Sequence, residues 1–401
     1  MKQQPLKILL GGVPFGRNNV GDEAILECVV KIVRQVCPDA LITVSTDDGP
    51  ATAAKLNVRT VELFGFEPPF SRQRMKEELE SANVFIWSGA TGLSDYPEIP
   101  LSMLQIAQAA GCKTVLWGVG MNDRLNPIFY TLLPGRRRSA LELATRCLFG
   151  TVDFVRMAEH RKEQRTRRRI ADTLNRADLV ALRDTESRDE ILKCGPVQNS
   201  MVGADSALLL EPAELDQINL PDSVREILSS DQKKIGICIS AQRQIRDRAN
   251  LIACFDELVE SDGNRILFVP MNPVTDAALM EDLTAVVEGR YDPAEILAVA
   301  AKLDVIASSR LHLLILASIV HVPIIGISRG SKVDNFLKPF GLTPVGDVNS
   351  CDFAALKNEI LRLIRSRAEF EKKSRDVRNR LLHRLDAAIE QLKRMLLTAT
   401  E

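Results

Sequence analysis

Aromatic residues are scarce in this chain, at 5% with only 2 Trp and 3 Tyr among 401 residues, so few rings exist for stacking exposed bases. An excess of either charge is missing too. With 52 Lys and Arg against 53 Asp and Glu, the formal charge of −1 offers no overall field for nucleic acid or an acidic polymer, and any anion site must be local. No apolar run approaches the roughly 20 residues of a membrane helix. The apolar stretch behind Lys7 ends at Gly11, too soon for the core of a secretory signal. The 8 cysteines form no Cys-x-x-Cys pair and have no His at metal-ligand spacing, which excludes a disulfide framework and leaves no metal site to expect. Most sit in apolar runs, as Cys238 does in Ile235-Gly-Ile-Cys-Ile239, and the natural setting is a reduced cytoplasm.

What is present is an ordinary globular composition, 45% hydrophobic and 26% charged, in a chain long enough for two or three domains. Short apolar runs rich in β-branched residues recur at Leu6 to Leu10, Leu41 to Ser45, Val84 to Trp87, Thr114 to Val119 and Leu179 to Leu182. A second series follows at Lys234 to Ser240, Arg265 to Val269, Asp304 to Ala307 and Pro323 to Ile327, with helical stretches near Asn250 to Glu260, Thr275 to Glu288 and Pro293 to Lys302. Continuous apolar runs without alternation mark strands covered on both faces, and their alternation with helices predicts two doubly wound parallel-sheet α/β units. The polar, proline-punctuated stretch from Glu211 to Asp222 places a linker over 209–232, between a first domain at 1–208 and a second at 233–345. Residues 346–401 read as a long helical segment whose apolar stripe includes Leu356, Ile360, Leu385, Leu392 and Leu396, with a break expected near Ser374. That stripe suits packing back across the domains or pairing with another subunit.

The first strand runs into Gly11-Gly-Val-Pro-Phe-Gly-Arg-Asn-Asn19-Val-Gly-Asp22-Glu, a glycine turn ahead of a helix, where the backbone can approach a ligand. Its spacing is not Gly-x-Gly-x-x-Gly, which argues against a nicotinamide cofactor. Asp22 reads either as a helix-start acid opposing the dipole or as a functional carboxylate. Small residues Ser88-Gly89-Ala90-Thr91-Gly92 end the strand near Val84, at the sheet edge that faces the crevice in open α/β folds. Arg183 ends another strand, ready to hold a carboxylate or phosphate or to pair with a nearby Asp. Arg310, His312, Arg329 and Lys332 come from two successive strand ends, and cations converging on one edge favour an anion site over a structural His. The segment from Arg136 to Arg169 holds 11 Lys and Arg against 4 acids with apolar companions such as Leu143, Phe149 and Met157. It is a solvated helix face or a peripheral contact with anionic lipid.

Taken in order, Asn19-x-Gly21-Asp22-Glu23-Ala24-Ile25-Leu26, Leu182-Arg183-Asp184 with Ser187, Ala204-Asp205, Arg310-Leu311-His312 and Lys332-Val333-Asp334 resemble the polysaccharide pyruvyl transferase family. The resemblance implies two Rossmann-like domains facing a cleft, as in glycosyltransferase-B enzymes. It implies transfer of the enolpyruvyl part of phosphoenolpyruvate onto two hydroxyls of a sugar, forming a pyruvate ketal of a cell-envelope polysaccharide or its lipid-linked precursor and releasing phosphate. By that analogy His312 and Asp22 are the catalytic positions, and Asn19, Arg183, Arg310, Lys332 and Gly89 bind substrate. Phosphoenolpyruvate is the donor, with no other cofactor and no metal. The setting implied is the cytoplasm, at the inner face of the membrane if the basic segment docks there. One departure stands out: Ser88-Gly89-Ala90 replaces a glycine triplet of the family, preceded by Trp87. That departure keeps open a nucleotide-sugar glycosyltransferase, or a catalytically silent sugar- or anion-binding protein.

Overall fold

The computed structural model describes residues 4–66, 70–149, 151–240, 248–260, 263–272, 276, 285–287, 292–348 and 350–399. Seven parallel strands form the first sheet: β1 (Lys7–Gly11), β2 (Leu41–Ser45), β3 (Arg59–Val61), β4 (Val84–Ser88), β5 (Lys113–Val119), β6 (Leu179–Leu182) and β7 (Ser200–Val202), in the order β3-β2-β1-β4-β5-β6-β7. The second sheet is also parallel and runs β10-β9-β8-β11-β12, from β8 (Lys234–Cys238), β9 (Arg265–Phe268), β10 (Ala285–Val286), β11 (Val305–Ser308) and β12 (Ile324–Gly326). Both orders reverse direction beside the first strand of the sheet, between β1 and β4 and between β8 and β11. Such switch points open a crevice at the carboxyl ends of the strands. Central strands are buried along their whole length, as Val84–Ser88 and Val305–Ser308 are, because helices cover both faces.

Edge strands β3, β7 and β10 carry too few residues for a periodic apolar signal, and the sequence pattern misses them. The helix expected over 275–288 is corrected at its end, since Ala285 and Val286 pair with Leu267 and Phe268 as strand; except for Asp276, its earlier residues lie outside the described residues.

The helical tail breaks at Ser366, not near Ser374: one helix spans Phe353–Arg365 and the next Arg367–Thr398. Ser374 lies buried within the longer helix, where its hydroxyl donates to the Ser318 carbonyl at 3.2 Å and sits 3.2 Å from His321 Nδ1. This long helix crosses back to the first sheet and packs against β6, β7 and the opening helix, Val20–Val36. A Cβ at Gly203 would stand 3.3 Å from Ala388, which shows how close that approach is. Each fully buried leucine of its stripe contributes about 1.5–3 kcal/mol, so the helix ties the two lobes together.

Candidate active site

The loop leaving β1 bends through Gly12 and Gly16, both at φ 79°, and enters the opening helix at Asn19. Asn19 caps that helix by accepting from the Gly21 N–H at 3.3 Å, and its side-chain amide donates to Asp22 Oδ2 at 2.7 Å. It therefore orients the Asp22 carboxylate. Glu23 closes the loop by accepting the Gly16 N–H at 2.7 Å, and burial pushes its carboxyl up to about 7. Asp22 itself is buried, and burial raises its carboxyl above the ordinary range even though His312, Lys332 and Arg310 pull the other way.

His312 comes from the other lobe, in the first turn of the helix Leu311–Ile319 after β11. The two lobes meet through it: a Cβ at Gly21 would fall 2.1 Å from His312 Nδ1, so only glycine lets the imidazole pack on the opening helix. The Val20 N–H also donates across the divide to the Met271 carbonyl at 2.9 Å. On its other side, His312 Nε2 stands 3.4 Å from Asp205 Oδ2, without the alignment of a hydrogen bond. Burial pushes the Asp205 carboxyl up, but His312 and Arg183 outweigh it and hold the group below its usual value. Sequence reasoning read Asp205 only as a family mark, and the imidazole contact is a new observation.

Arg310 precedes His312 and is gripped by Asp276, a fully buried carboxylate that accepts from its Nε at 2.9 Å and also from the N–H groups of Met271 and Asn272. Arg310 is thus oriented by an acid that no sequence pattern revealed. Arg183 is buried at the end of β6, with Nε 3.4 Å from Asp184 Oδ2. Its guanidinium lies over Gly120, where a Cβ would come within 2.4 Å. The pairing anticipated for Arg183 is thus real but long, and the other oxygen of Asp184 caps the following helix through the Ser187 N–H.

Lys332 opens the helix Ser331–Leu337. Burial lowers its ammonium to about 8, helped by Arg329, Arg183 and Arg310 and opposed by Asp95. These mutual influences put Asp22, Arg183, Arg310, His312 and Lys332 in one electrostatic neighbourhood drawn from both sheets. Asp95 is a further member: it accepts from Thr91 Oγ1 and, at 2.9 Å, from Asn122 Nδ2. Burial together with Asp22 and Asp95 raises the Tyr96 hydroxyl well above its ordinary value, and nothing in the sequence singled out Tyr96. Next to Lys332, Ser331 Oγ accepts the Asp123 N–H at 3.1 Å, a second strut between the lobes.

Gly89 lies at φ 83°, and a Cβ there would meet Ile25 at 2.7 Å, so its visible work is to let the opening helix approach β4. Ala90 follows at φ 61°, a left-handed position that costs alanine about 1–2 kcal/mol relative to the right-handed form and glycine almost nothing. The bend is held by Gly89 N–H to Trp117 O at 2.7 Å and Gly120 N–H to Ala90 O at 2.8 Å. Ala90 thus holds this bend at the cost of backbone strain. Among the described residues no three His, Cys, Asp or Glu side chains gather as a metal-binding group.

The model of one family, polysaccharide pyruvyl transferase, matches residues 19–331 of the chain. The chain belongs to the polysaccharide pyruvyl transferase family. Asp22, Arg183, Asp205, Arg310 and His312 of this pyruvyl transferase family member lie inside the matched span, and Lys332 follows directly after it. Among curated proteins none matches in sequence. In three dimensions the chain is similar to Anabaena Alr3699/HepE in complex with UDP-glucose, at 13% identity and TM-score 0.55 over 98% of this chain and 100% of that one. It is similar as well to UDP-GlcNAc 2-epimerase from Neisseria meningitidis bound to UDP-GlcNAc, at 11% identity and TM-score 0.58 over 98% and 100%. A ugt transferase from Siraitia grosvenorii in complex with UDP gives 11% and 0.57 over the same shares. These likenesses establish the glycosyltransferase-B type of fold for this family member, with its long C-terminal helix.

Proposed function

We propose that this family member transfers the enolpyruvyl group of phosphoenolpyruvate to two hydroxyls of a saccharide, forming a pyruvate ketal and releasing phosphate on the cytoplasmic side of the membrane. The observation that carries this reading is the gathering of Arg183, Arg310 and Lys332 around Asp22 and His312 at the carboxyl edges of both sheets. The donor carries a carboxylate and a phosphate, and a chain with formal charge −1 needs such a local group of cations to hold it. His312 is suited to deliver a proton to the methylene carbon, because an imidazole can give and take protons near neutral pH. A sugar hydroxyl then bonds to C2, the C2–O bond to phosphate breaks, and the second hydroxyl closes the ketal. Of the two hydroxyl protons, one replaces that given to the methylene and the other leaves with phosphate. Asp22, made more basic by burial, accepts a hydroxyl proton, while Asp205 positions the imidazole and Asn19 the carboxylate. Gly89 shapes the edge rather than offering a side chain. Electrons balance without a redox cofactor.

With phosphoenolpyruvate and a panel of saccharide acceptors, the expected result is equimolar phosphate and a product heavier by one pyruvate ketal. His312→Ala should lose this turnover by roughly 10²- to 10⁴-fold. Calorimetry that finds UDP or GDP bound and phosphoenolpyruvate not bound would replace the proposal with glycosyl transfer. Donor binding with wild-type phosphate release in His312→Ala would remove the histidine from the mechanism.

A further inference from the structure

The loop after β5 leads into two helices, of which the first and the opening half of the second stand clear of the body. Arg136–Cys147 buries none of its residues, and Phe154–Leu174 buries residues only from Thr166 onward. The 12 residues from Phe154 to Arg165 therefore extend about 18 Å past the buried part. The helix returns from the carboxyl end of β5 to the start of β6, so this overhang lies on the carboxyl edge of the sheet, the edge that carries Arg183 and the bend at Gly89. Ile128, Leu133, Leu143, Leu148, Phe149 and Met157 are all exposed on it, Phe149 at 96%. Elsewhere the described residues expose only Leu41, Leu192, Val259 and Leu397 as large apolar side chains. Apolar exposure concentrated in this way marks an interaction surface.

Its charge identifies the partner. Between Arg136 and Arg169 the 4 acids are all engaged: Glu142 with Arg138, Glu163 with Arg167, Asp153 with the Arg156 N–H and Glu159 with the Leu132 N–H. Met157, Arg161, Arg165 and Arg168 recur at helical spacing and are exposed, while Thr166, Ile170 and Leu174 on the opposite side are buried. Arg165 and Arg168 continue into a shallow depression shared with Asp172, Arg176 and Arg169, the last of which pairs with Glu98. A face with apolar tips and uncompensated arginines would repel a second copy of itself and complements an anionic lipid surface. We infer that the helical hairpin 128–168 docks this chain on an anionic membrane, with the crevice edge turned toward the bilayer, where a lipid-linked saccharide is presented. The inference goes beyond the donor chemistry proposed above and is tested without it.

Co-sedimentation with phosphatidylcholine vesicles and with equimolar phosphatidylcholine–phosphatidylglycerol vesicles should show binding only to the latter, weakening as salt is raised. The pair Leu143→Glu and Phe149→Glu, and separately Arg161→Glu with Arg165→Glu, should each weaken that binding by roughly tenfold or more. Both variants replace exposed side chains and should keep the wild-type circular dichroism and melting temperature. Absence of binding to the anionic vesicles, or binding by either variant as strong as that of the wild type, overturns the inference. So does a dimer of the wild type, seen by light scattering, that the Phe149→Glu pair dissociates, since a second copy would then be the occupant.

Discussion

On the proposed reading, Lys332 carries donor affinity and a stability cost in a single residue. Burial and three neighbouring guanidinium groups bring it down to about 8, so it is charged at neutral pH but loses its proton just above. In the unfolded chain the ammonium keeps its proton to about 10.4. Between these values the unfolded state binds more protons, so this residue's contribution raises stability as pH rises from about 8 toward 10, and at neutral pH it costs stability. Lys332→Met is expected to raise the melting temperature at pH 7 while raising the KM for phosphoenolpyruvate by about tenfold or more. In the wild type that KM should climb above pH 8, and the variant should show no such break. A variant that melts lower at pH 7, or a KM that stays flat through pH 9, would contradict this account. Lys332 was legible because a cation just after a glycine turn is conspicuous. Asp276 was not legible, and Asp205 was legible only as a family mark, since the partner of a buried acid is recognised only by what it touches.

At the scale of elements, the site is a meeting of helix starts, and Gly21 governs how close they come. In an isolated helix, replacing this glycine by alanine would stabilise by about 1 kcal/mol. Here the added methyl would stand 2.1 Å from His312 Nδ1, so either the imidazole or the opening helix must move. Gly21→Ala is therefore expected to lower kcat by at least tenfold, with the far-ultraviolet circular dichroism retained and the urea midpoint lowered. An unchanged kcat would mean that the lobes do not work in this apposition. The long runs that became central strands were readable from their apolar continuity. The edges β3 and β7 were not, because their three residues are only partly covered and form no continuous apolar run, unlike the fully buried edge β12.

For the whole molecule, the helix Arg367–Thr398 acts as a strap. It begins beside the second sheet, where Arg367 pairs with Asp304 at 3.1 Å, and ends on the first, burying Leu385, Ala388, Leu392 and Leu396. Ending the chain after Ser366 removes that packing from both lobes. Thermal unfolding monitored by circular dichroism should then split or broaden into two transitions, with the earlier one at least several degrees below the wild type. A single transition at the wild-type temperature would mean that the strap contributes nothing to coupling.

Two parallel α/β units, the crevice edges and the cations at strand ends were determined by the sequence itself, because apolar periodicity and glycine turns are local properties written in consecutive residues. Tertiary structure alone decided that Gly21 seats His312, that Asp276 grips the Arg310 guanidinium and Asp205 stands beside the imidazole, that the tail folds back from Ser366, and that Phe154 to Arg165 overhangs the fold. Each of these is a contact, or an absence of burial, between segments far apart in the chain, and its energy depends on distance in space, which residue order does not specify.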